Sequence, residues 1–247
     1  MKRRPDCGNA PMRVLVALLA AFCTGALGQE MIGHVGGRAA LLNLYGTAQP
    51  DGSARVTGEY VLLPTLQQRF LEGDRSKQLG VTVLKEGNSP IFYGRPPLGT
   101  LQGTWSEGVF KGARYAPNGQ ERERFEFSET FPAMEGYSAS LRCEMSEDRY
   151  SATLAYAIEK GQLRSLEWRS RVAPADHPCN VTGLRQQPFD GGLRFASGRC
   201  SVVLRDLGEY VRVSADGCAE MCGSQGYLEP VLVDRRGSCQ LLRPQPK

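Results

Sequence analysis

Residues 137–158 read YSASLRCEMSEDRYSATLAYAI, and this stretch decides the fold class. On both sides of the central SEDR segment, apolar side chains alternate with polar or small ones. A period of two is typical of a β-strand with one buried face, whereas an amphipathic helix repeats every 3.6 residues. The stretch therefore predicts an antiparallel hairpin in which Met145 faces Tyr150 and Leu141 faces Leu154, with all four side chains on one face.

The residues that follow extend this hairpin into a three-stranded meander. After a loop at residues 160–162, the returning strand places Leu166 opposite Tyr156 and Trp168 opposite Leu154. All three strands then share one apolar face. We expect that face to be buried against another layer of the protein.

Two more hairpins are predicted near the C-terminus. Residues 200–204 and 211–215 alternate in the same way, with Val202 opposite Val213. The last pair of strands is predicted from residues 227–233 and 238–242.

The first half of the chain also reads as β-structure. Short apolar stretches between residues 38 and 130 are separated by Gly, Pro, Asn and Asp, as in an antiparallel sandwich or small barrel. We therefore predict an all-β protein with two antiparallel domains: an N-terminal small barrel or sandwich at 29–133 and a disulfide-stapled β-meander at 134–247. One continuous sheet system is the alternative. The seven N-terminal strands are predicted at Arg38–Tyr45, Ala54–Leu63, Arg69–Glu72, Leu79–Lys85, Leu101–Ser106, Val109–Tyr115 and Arg122–Phe127.

Residues 1–28 have the order of a secretory signal peptide. A basic start is followed by an apolar run at residues 14–23, and Ala26 and Gly28 provide a small-x-small cleavage site. The run is shorter than the roughly 20 residues that span a bilayer. We expect cleavage after Gly28, a mature chain beginning at Gln29, and a periplasmic or secreted location. An uncleaved membrane anchor is the alternative.

The charge of the mature chain excludes one class of function. The full chain has 30 Lys and Arg and 26 Asp and Glu, and residues 1–28 carry four of the basic residues and one acidic residue. The mature chain therefore has 26 basic and 25 acidic residues. Such a balanced chain lacks the electrostatic field of a general nucleic-acid binder. No nucleic-acid partner is expected, and no later segment is apolar enough to be a transmembrane helix.

Six cysteines remain in the mature chain, all in its C-terminal half. An even number of cysteines in an exported protein predicts disulfides. A metal site is the less favoured alternative, because Cys218 and Cys222 lack the usual two-residue spacing and the chain has only two histidines. We expect neither a metal nor a cofactor. The register of the strands favours the pairs Cys200–Cys218 and Cys222–Cys239, which leaves Cys143 to pair with Cys179; this is one of 15 combinations.

Motifs for catalysis are absent from the sequence. There is no Gly-x-Ser-x-Gly, His-Glu-x-x-His or phosphate-binding loop. We expect His34 to lie in a mobile, Gly-rich mature N-terminus and His177 to be an exposed loop residue. We therefore nominate no catalytic residue. A glycosidase-like hydrolase that uses two carboxylates is the enzymatic alternative, with Glu121, Glu123 and Glu126 as candidates.

These observations favour a non-catalytic, exported binding protein. Rigid β-domains that carry loops suit binding, and aromatic side chains dominate many interfaces. The expected partner is a protein or a cell-envelope polymer. An inhibitor or immunity protein directed at an envelope-acting enzyme is the most concrete version, and a structural envelope component is a further alternative. The candidate contact residues are Trp105, Tyr93, Phe92 and Tyr115.

Overall fold

The structure, a computed structural model, describes residues 27–63, 65–77, 80–90, 96–173, 178–223 and 226–242. In these ranges the chain forms eighteen strands and one four-residue helix, and all strand pairs are antiparallel. The predicted all-β, antiparallel fold is confirmed. Residues 1–26 of the predicted signal peptide lie outside the described residues.

The N-terminal half is a closed eight-stranded barrel. Each strand pairs with the next along the chain, and the first pairs with the last through residues Ile32 to Val35, so the sheet closes on itself. All seven strands predicted for this region are present. The strands are β1 (Leu27–Val35), β2 (Arg38–Ala48), β3 (Ala54–Leu62), β4 (Gln67–Arg75), β5 (Val81–Gly87), β6 (Gly99–Ser106), β7 (Val109–Tyr115) and β8 (Glu121–Ser128).

Strand β1 corrects the expectation of a mobile N-terminus. It pairs with β2 along its whole length, and residues Ile32 to Val35 also pair with β8. Met31 and Val35 are fully buried in the barrel, and this burial holds the segment in place. His34 therefore lies on a fixed strand, exposed and directly across from Glu126 of β8.

The glycine content that suggested mobility has a different role at Gly33. A Cβ atom at this position would lie 1.8 Å from the carbonyl oxygen of Glu126. Only glycine allows β1 and β8 to approach so closely, which is a common reason for glycine inside a strand. Barrel closure thus depends on a missing side chain.

Apolar side chains fill the barrel interior. Eight strands enclose a space that side chains alone can fill. Every strand contributes to the interior, and β4, β5 and β6 contribute one leucine each. The interior cluster consists of Met31, Val35, Ala40, Leu42, Leu44, Val56, Tyr60, Leu62, Leu71, Leu84, Leu101, Phe110, Phe125 and Phe127.

The C-terminal half is a sandwich of two sheets. The four-stranded sheet has the order β12-β11-β10-β9, and the six-stranded sheet runs in order from β13 to β18. Their facing sides share one core that includes Trp168, Phe195 and Val213. The elements are β9 (Ala139–Glu147), β10 (Tyr150–Glu159), β11 (Gln162–Val172), β12 (Cys179–Val181), β13 (Arg185–Gln187), β14 (Leu193–Ser197), β15 (Cys200–Asp206), β16 (Tyr210–Asp216), α1 (Ala219–Cys222), β17 (Val231–Asp234) and β18 (Cys239–Leu241).

The predicted buried faces are correct, but two registers differ from the prediction. Leu154 pairs with Trp168 as predicted, whereas on its other side it pairs with Cys143 instead of Leu141. The β9–β10 turn has two residues, not four, and Asp148 adopts a positive φ of 49° there. Hairpin β15–β16 is shifted in the same way. A shift of two residues leaves every side chain on its original face, so alternation alone does not detect it.

Three disulfides link the sandwich. The predicted bond Cys200–Cys218 is confirmed, and it joins the start of β15 to the residue that directly precedes α1. The other two predicted pairs are wrong, because helix α1 lies against β12 and strand β18 lies next to β9. The observed bonds are Cys179–Cys222 and Cys143–Cys239, and the latter connects the two sheets.

The six-stranded sheet packs its other face against the outside of the barrel. Glu30 of β1 accepts a hydrogen bond from Arg205 Nη1 at 2.8 Å and forms an ion pair with Arg212. Burial lowers the pKa of Arg212 to about 10, so its guanidinium stays charged at neutral pH. Apolar residues from both sides complete the contact: Leu41, Val61, Leu63, Leu66, Phe131, Leu207 and Leu232. The order of layers is barrel, six-stranded sheet and four-stranded sheet.

The close approach at Gly33 gives a test of barrel closure. We predict that Gly33→Ala lowers the free energy of unfolding by about 2 kcal/mol or more, because the added carbon forces β1 away from β8. Urea denaturation measures this effect. The matched control is Gly46→Ala in β2, where a Cβ meets nothing within 4 Å and should be tolerated. Equal stability of the two variants would show that β1 does not close the barrel in solution.

Candidate binding site

The outer face of the four-stranded sheet carries a row of small side chains. Because the inner face packs on the core, this face lies on the outside of the layered fold. Strand β10 runs through the sheet between β9 and β11. Its outward residues, which alternate with buried ones, are Ser151, Thr153, Ala155 and Ala157.

Longer charged side chains flank this row on both sides. In register with Thr153 are Glu144 on β9 and Arg169 on β11. In register with Ala155 are Arg142 on β9 and Glu167 on β11. We call this surface the trough. Its floor is the four β10 residues, and its walls are Arg142, Glu144, Glu167, Arg169 and Arg171.

Opposite charges face each other across the trough beside Thr153 and Ala155, and neighbours of opposite sign lie along each wall there. Arg142 Nη2 lies 3.8 Å from Glu144 Oε1 on one wall, and Arg169 forms an ion pair with Glu167 on the other. Exposed pairs of this kind contribute little to stability, typically below about 1 kcal/mol. These four side chains can therefore exchange partners at low cost.

The trough deepens at its hairpin end. A depression of about 620 Å³ lies there, and strands from all four positions of the sheet line it. The polar residues that face it include Ser146, Ser151, Arg171 and Asn180. The depression therefore offers hydroxyl, amide and guanidinium groups beside a floor that leaves room for a ligand.

The two predicted contact aromatics that the structure describes, Trp105 and Tyr115, lie apart from each other. Trp105 is half-buried, stacks on Phe110 with 4.9 Å between ring centroids, and donates from Nε1 to Thr82 Oγ1 at 3.0 Å. Tyr115 lies five residues beyond Phe110 on β7, about 17 Å away at the rise of a β-strand. Phe92 and Tyr93 lie outside the described residues. The structure thus gives Trp105 a role in packing one end of the barrel.

The candidate carboxylates of β8 have different surroundings. Glu123 forms ion pairs with Arg38 at 2.8 Å and Arg114 at 3.5 Å. Glu121 pairs with Arg124 at 2.8 Å, while Glu126 is exposed on the outside of the barrel. A glycosidase needs two carboxyl groups that face each other across a cleft. This arrangement gives the hydrolase alternative no support, and His177 lies outside the described residues.

The sequence analysis missed a charged cluster inside one end of the barrel. Glu86 is fully buried and binds Arg114 in a bidentate pair, with Nε–Oε2 at 2.6 Å and Nη2–Oε1 at 3.1 Å. Arg69 Nε lies 3.1 Å from Glu86 Oε1. The Glu86 carboxylate raises the pKa of Arg114, and burial raises the pKa of Tyr60 beside them. The side chains of this cluster fill one end of the barrel interior, and their charges pair with one another.

One signal could have found Glu86. Thr82, Leu84 and Glu86 are spaced by two residues on β5, so the strand pattern places all three on the inner face. A carboxylate at such a position is rarely buried without a partner. The partners come from β4 and β7, however, and their identity depends on the closed barrel.

Metal sites, membrane-spanning helices and known relatives give no further indication of function. Among the described residues, no group of three or more His, Cys, Asp or Glu side chains could hold a metal ion. No helix in the described part of the chain has the length and apolarity needed to cross a membrane. No family model, curated protein or solved structure matches the chain.

The Glu86 cluster gives a second test. We predict that Glu86→Gln lowers the free energy of unfolding by about 3 kcal/mol, because two largely buried arginines lose their counter-charge. Glu126→Gln on the exposed outside of the barrel is the control, with an expected change within about 0.5 kcal/mol. Chemical denaturation of both variants checks this, and an unaffected E86Q protein would contradict the paired-charge interpretation.

Proposed function

We propose that this protein is an exported binding protein whose trough binds an extended segment of another protein. The observation that carries the proposal is the alternation of Arg and Glu around a floor of small side chains on the trough. No comparison suggests a function, so the proposal rests on this geometry and on the chemistry of the side chains.

The cysteines support export. All six cysteines of the predicted mature chain form disulfides, and such bonds persist in oxidising compartments. The N-terminal sequence has the order of a secretory signal. Cleavage after Gly28 would remove the first two residues of β1 but keep its pairing with β8, which begins at Ile32. The predicted mature chain can therefore still close the barrel.

The character of the trough favours a polypeptide ligand. Polysaccharide sites commonly stack sugar rings on aromatic side chains, and no trough residue is aromatic. A polyanion would need a surface of one sign, whereas the trough carries charges of both signs, three arginines and two glutamates. A peptide strand with charges of both signs could pair with these side chains. Its backbone could also bond to Ser151 and Thr153.

The dimensions of the trough suit a short extended segment. The floor from Ser151 to Ala157 spans about 20 Å, which is the length of about six residues of extended chain. The sheet below is crosslinked to the second layer by Cys143–Cys239. A rigid surface loses little conformational entropy on binding, and this raises its affinity for a ligand.

The class of partner follows from the compartment. We propose a secreted or envelope protein, with an envelope-acting enzyme inhibited by this chain as the most concrete case. The support is export, a stapled β-scaffold and the absence of a recognised catalytic motif from the sequence.

A substitution in the trough floor tests the proposal. We predict that the mature protein captures a partner from an envelope extract after mild crosslinking, and that Thr153→Trp abolishes this capture by filling the trough. The control is Thr57→Trp, at an exposed position in the middle of barrel strand β3. The affinity of the purified partner is then measured by calorimetry, and T153W should weaken it at least tenfold.

Two results would overturn the proposal. One is a partner that binds the wild-type protein and T153W with equal affinity, which would place the contact elsewhere. The other is binding of purified cell-wall fragments in place of any protein, which would assign the protein to polysaccharide recognition.

A further inference from the structure

Strand β9 is the longest outermost strand of the two C-terminal sheets in the described part of the chain. The barrel is closed, and the two sheets end at β9, β12, β13 and β18. Three of these edge strands have only three residues, whereas β9 has nine. Proteins usually shorten, bulge or cover exposed edges, because an open edge can pair with another strand.

Among the described residues, β9 has a strand partner on one side only, and that pairing is regular. It pairs with β10 from residue 139 to 147 without a bulge. No backbone hydrogen bond within the described ranges joins its other side to a strand. Its inward residues Ala139, Leu141 and Cys143 are only half-buried, while their neighbours on β10 are fully buried. A strand added at this edge would cover them.

We propose that a second copy of this chain pairs antiparallel with β9 and forms a two-fold symmetric dimer. The sequence of β9 is self-complementary around Cys143. With the symmetry axis at that residue, Arg142 lies opposite Glu144 of the partner subunit, and Leu141 lies opposite Met145 of the partner subunit. Opposite charges and apolar pairs at facing positions stabilise antiparallel strands. Symmetry generates each pair twice.

Neighbouring registers are less favourable. An axis at Arg142 would bring two arginines face to face, and an axis at Glu144 would bring two glutamates together. Like charges at directly opposed positions destabilise a sheet. A shift of one residue would place the apolar face of one subunit beside the polar face of the other. The register centred on Cys143 is the one that satisfies both faces.

The dimer would have one continuous eight-stranded sheet. The two troughs would then lie on the same side of that sheet, next to each other. Cys143 is bonded to Cys239 within its own chain, so the association is non-covalent. This inference rests on β9 alone and does not depend on what the trough binds.

Charge reversal tests the dimer by sedimentation velocity across a range of protein concentrations. The wild-type mature chain should show a reversible monomer–dimer equilibrium. Arg142→Glu and Glu144→Arg should each weaken it at least tenfold, because each places like charges opposite one another. The double variant R142E/E144R restores opposite charges and should dimerise again. Arg124→Glu, at an exposed position on the barrel, is the control.

Mixing the two single variants gives the sharpest result. R142E provides two acidic edge residues and E144R provides two basic ones, so the mixture should form a heterodimer although neither variant dimerises alone. Circular dichroism confirms that each variant is folded. A wild-type chain that stays monomeric at about 100 µM, where even a weak specific dimer is populated, would overturn the proposal. So would a dimer that ignores both reversals, or a pair of single variants that stay monomeric when mixed.

Discussion

Unpaired backbone groups at strand edges are the constraint on which this architecture depends. A chain made mainly of strands has many backbone N–H and C=O groups along its sheet edges, and these groups need hydrogen-bond partners. The barrel solves this by closing, and closure requires β1 to approach β8 at Gly33, where a side chain would clash with the carbonyl oxygen of Glu126. The sandwich solves it with three-residue edge strands at three of its four edges. Strand β9 is the exception, and its self-complementary sequence suits the proposed pairing with a second copy of the chain.

Charged side chains have three distinct settings in the layered fold. Glu86 lies inside the barrel and is held by Arg69 and Arg114. Glu30 lies between the barrel and the six-stranded sheet, where it joins the two layers through Arg205 and Arg212. Exposed charges on the walls of the trough pair with neighbours on the same strand. The buried pairs stabilise this arrangement of layers, whereas the exposed ones contribute little to stability.

Alternation in the sequence predicts faces well and registers less well. Trp168 and Leu154 pair as predicted, because a register shift between Ala157 and Ile158 adds the one residue by which the two-residue turn Lys160-Gly161 differs from the predicted three-residue loop. At Cys143 the register is displaced by two residues, since the same alternation fits a two-residue or a four-residue turn. The prediction of two disulfides was wrong because their cysteines meet through packing between layers, which strand alternation does not reveal. Strand β1 was missed because glycine normally disfavours strands, and the trough was missed because it needs the register of three strands.

Hydrogen–deuterium exchange along β9, measured at several protein concentrations, tests most directly whether this edge is built to be paired. We expect alternate amides of β9 to exchange slowly in concentrated solution and much faster on dilution, as the added strand dissociates. The amides of β10, which are bonded on both sides within one subunit, should exchange slowly at every concentration. Exchange in β9 that is independent of concentration would show that the edge stays open, and would contradict the pairing of β9 with a second copy of the chain.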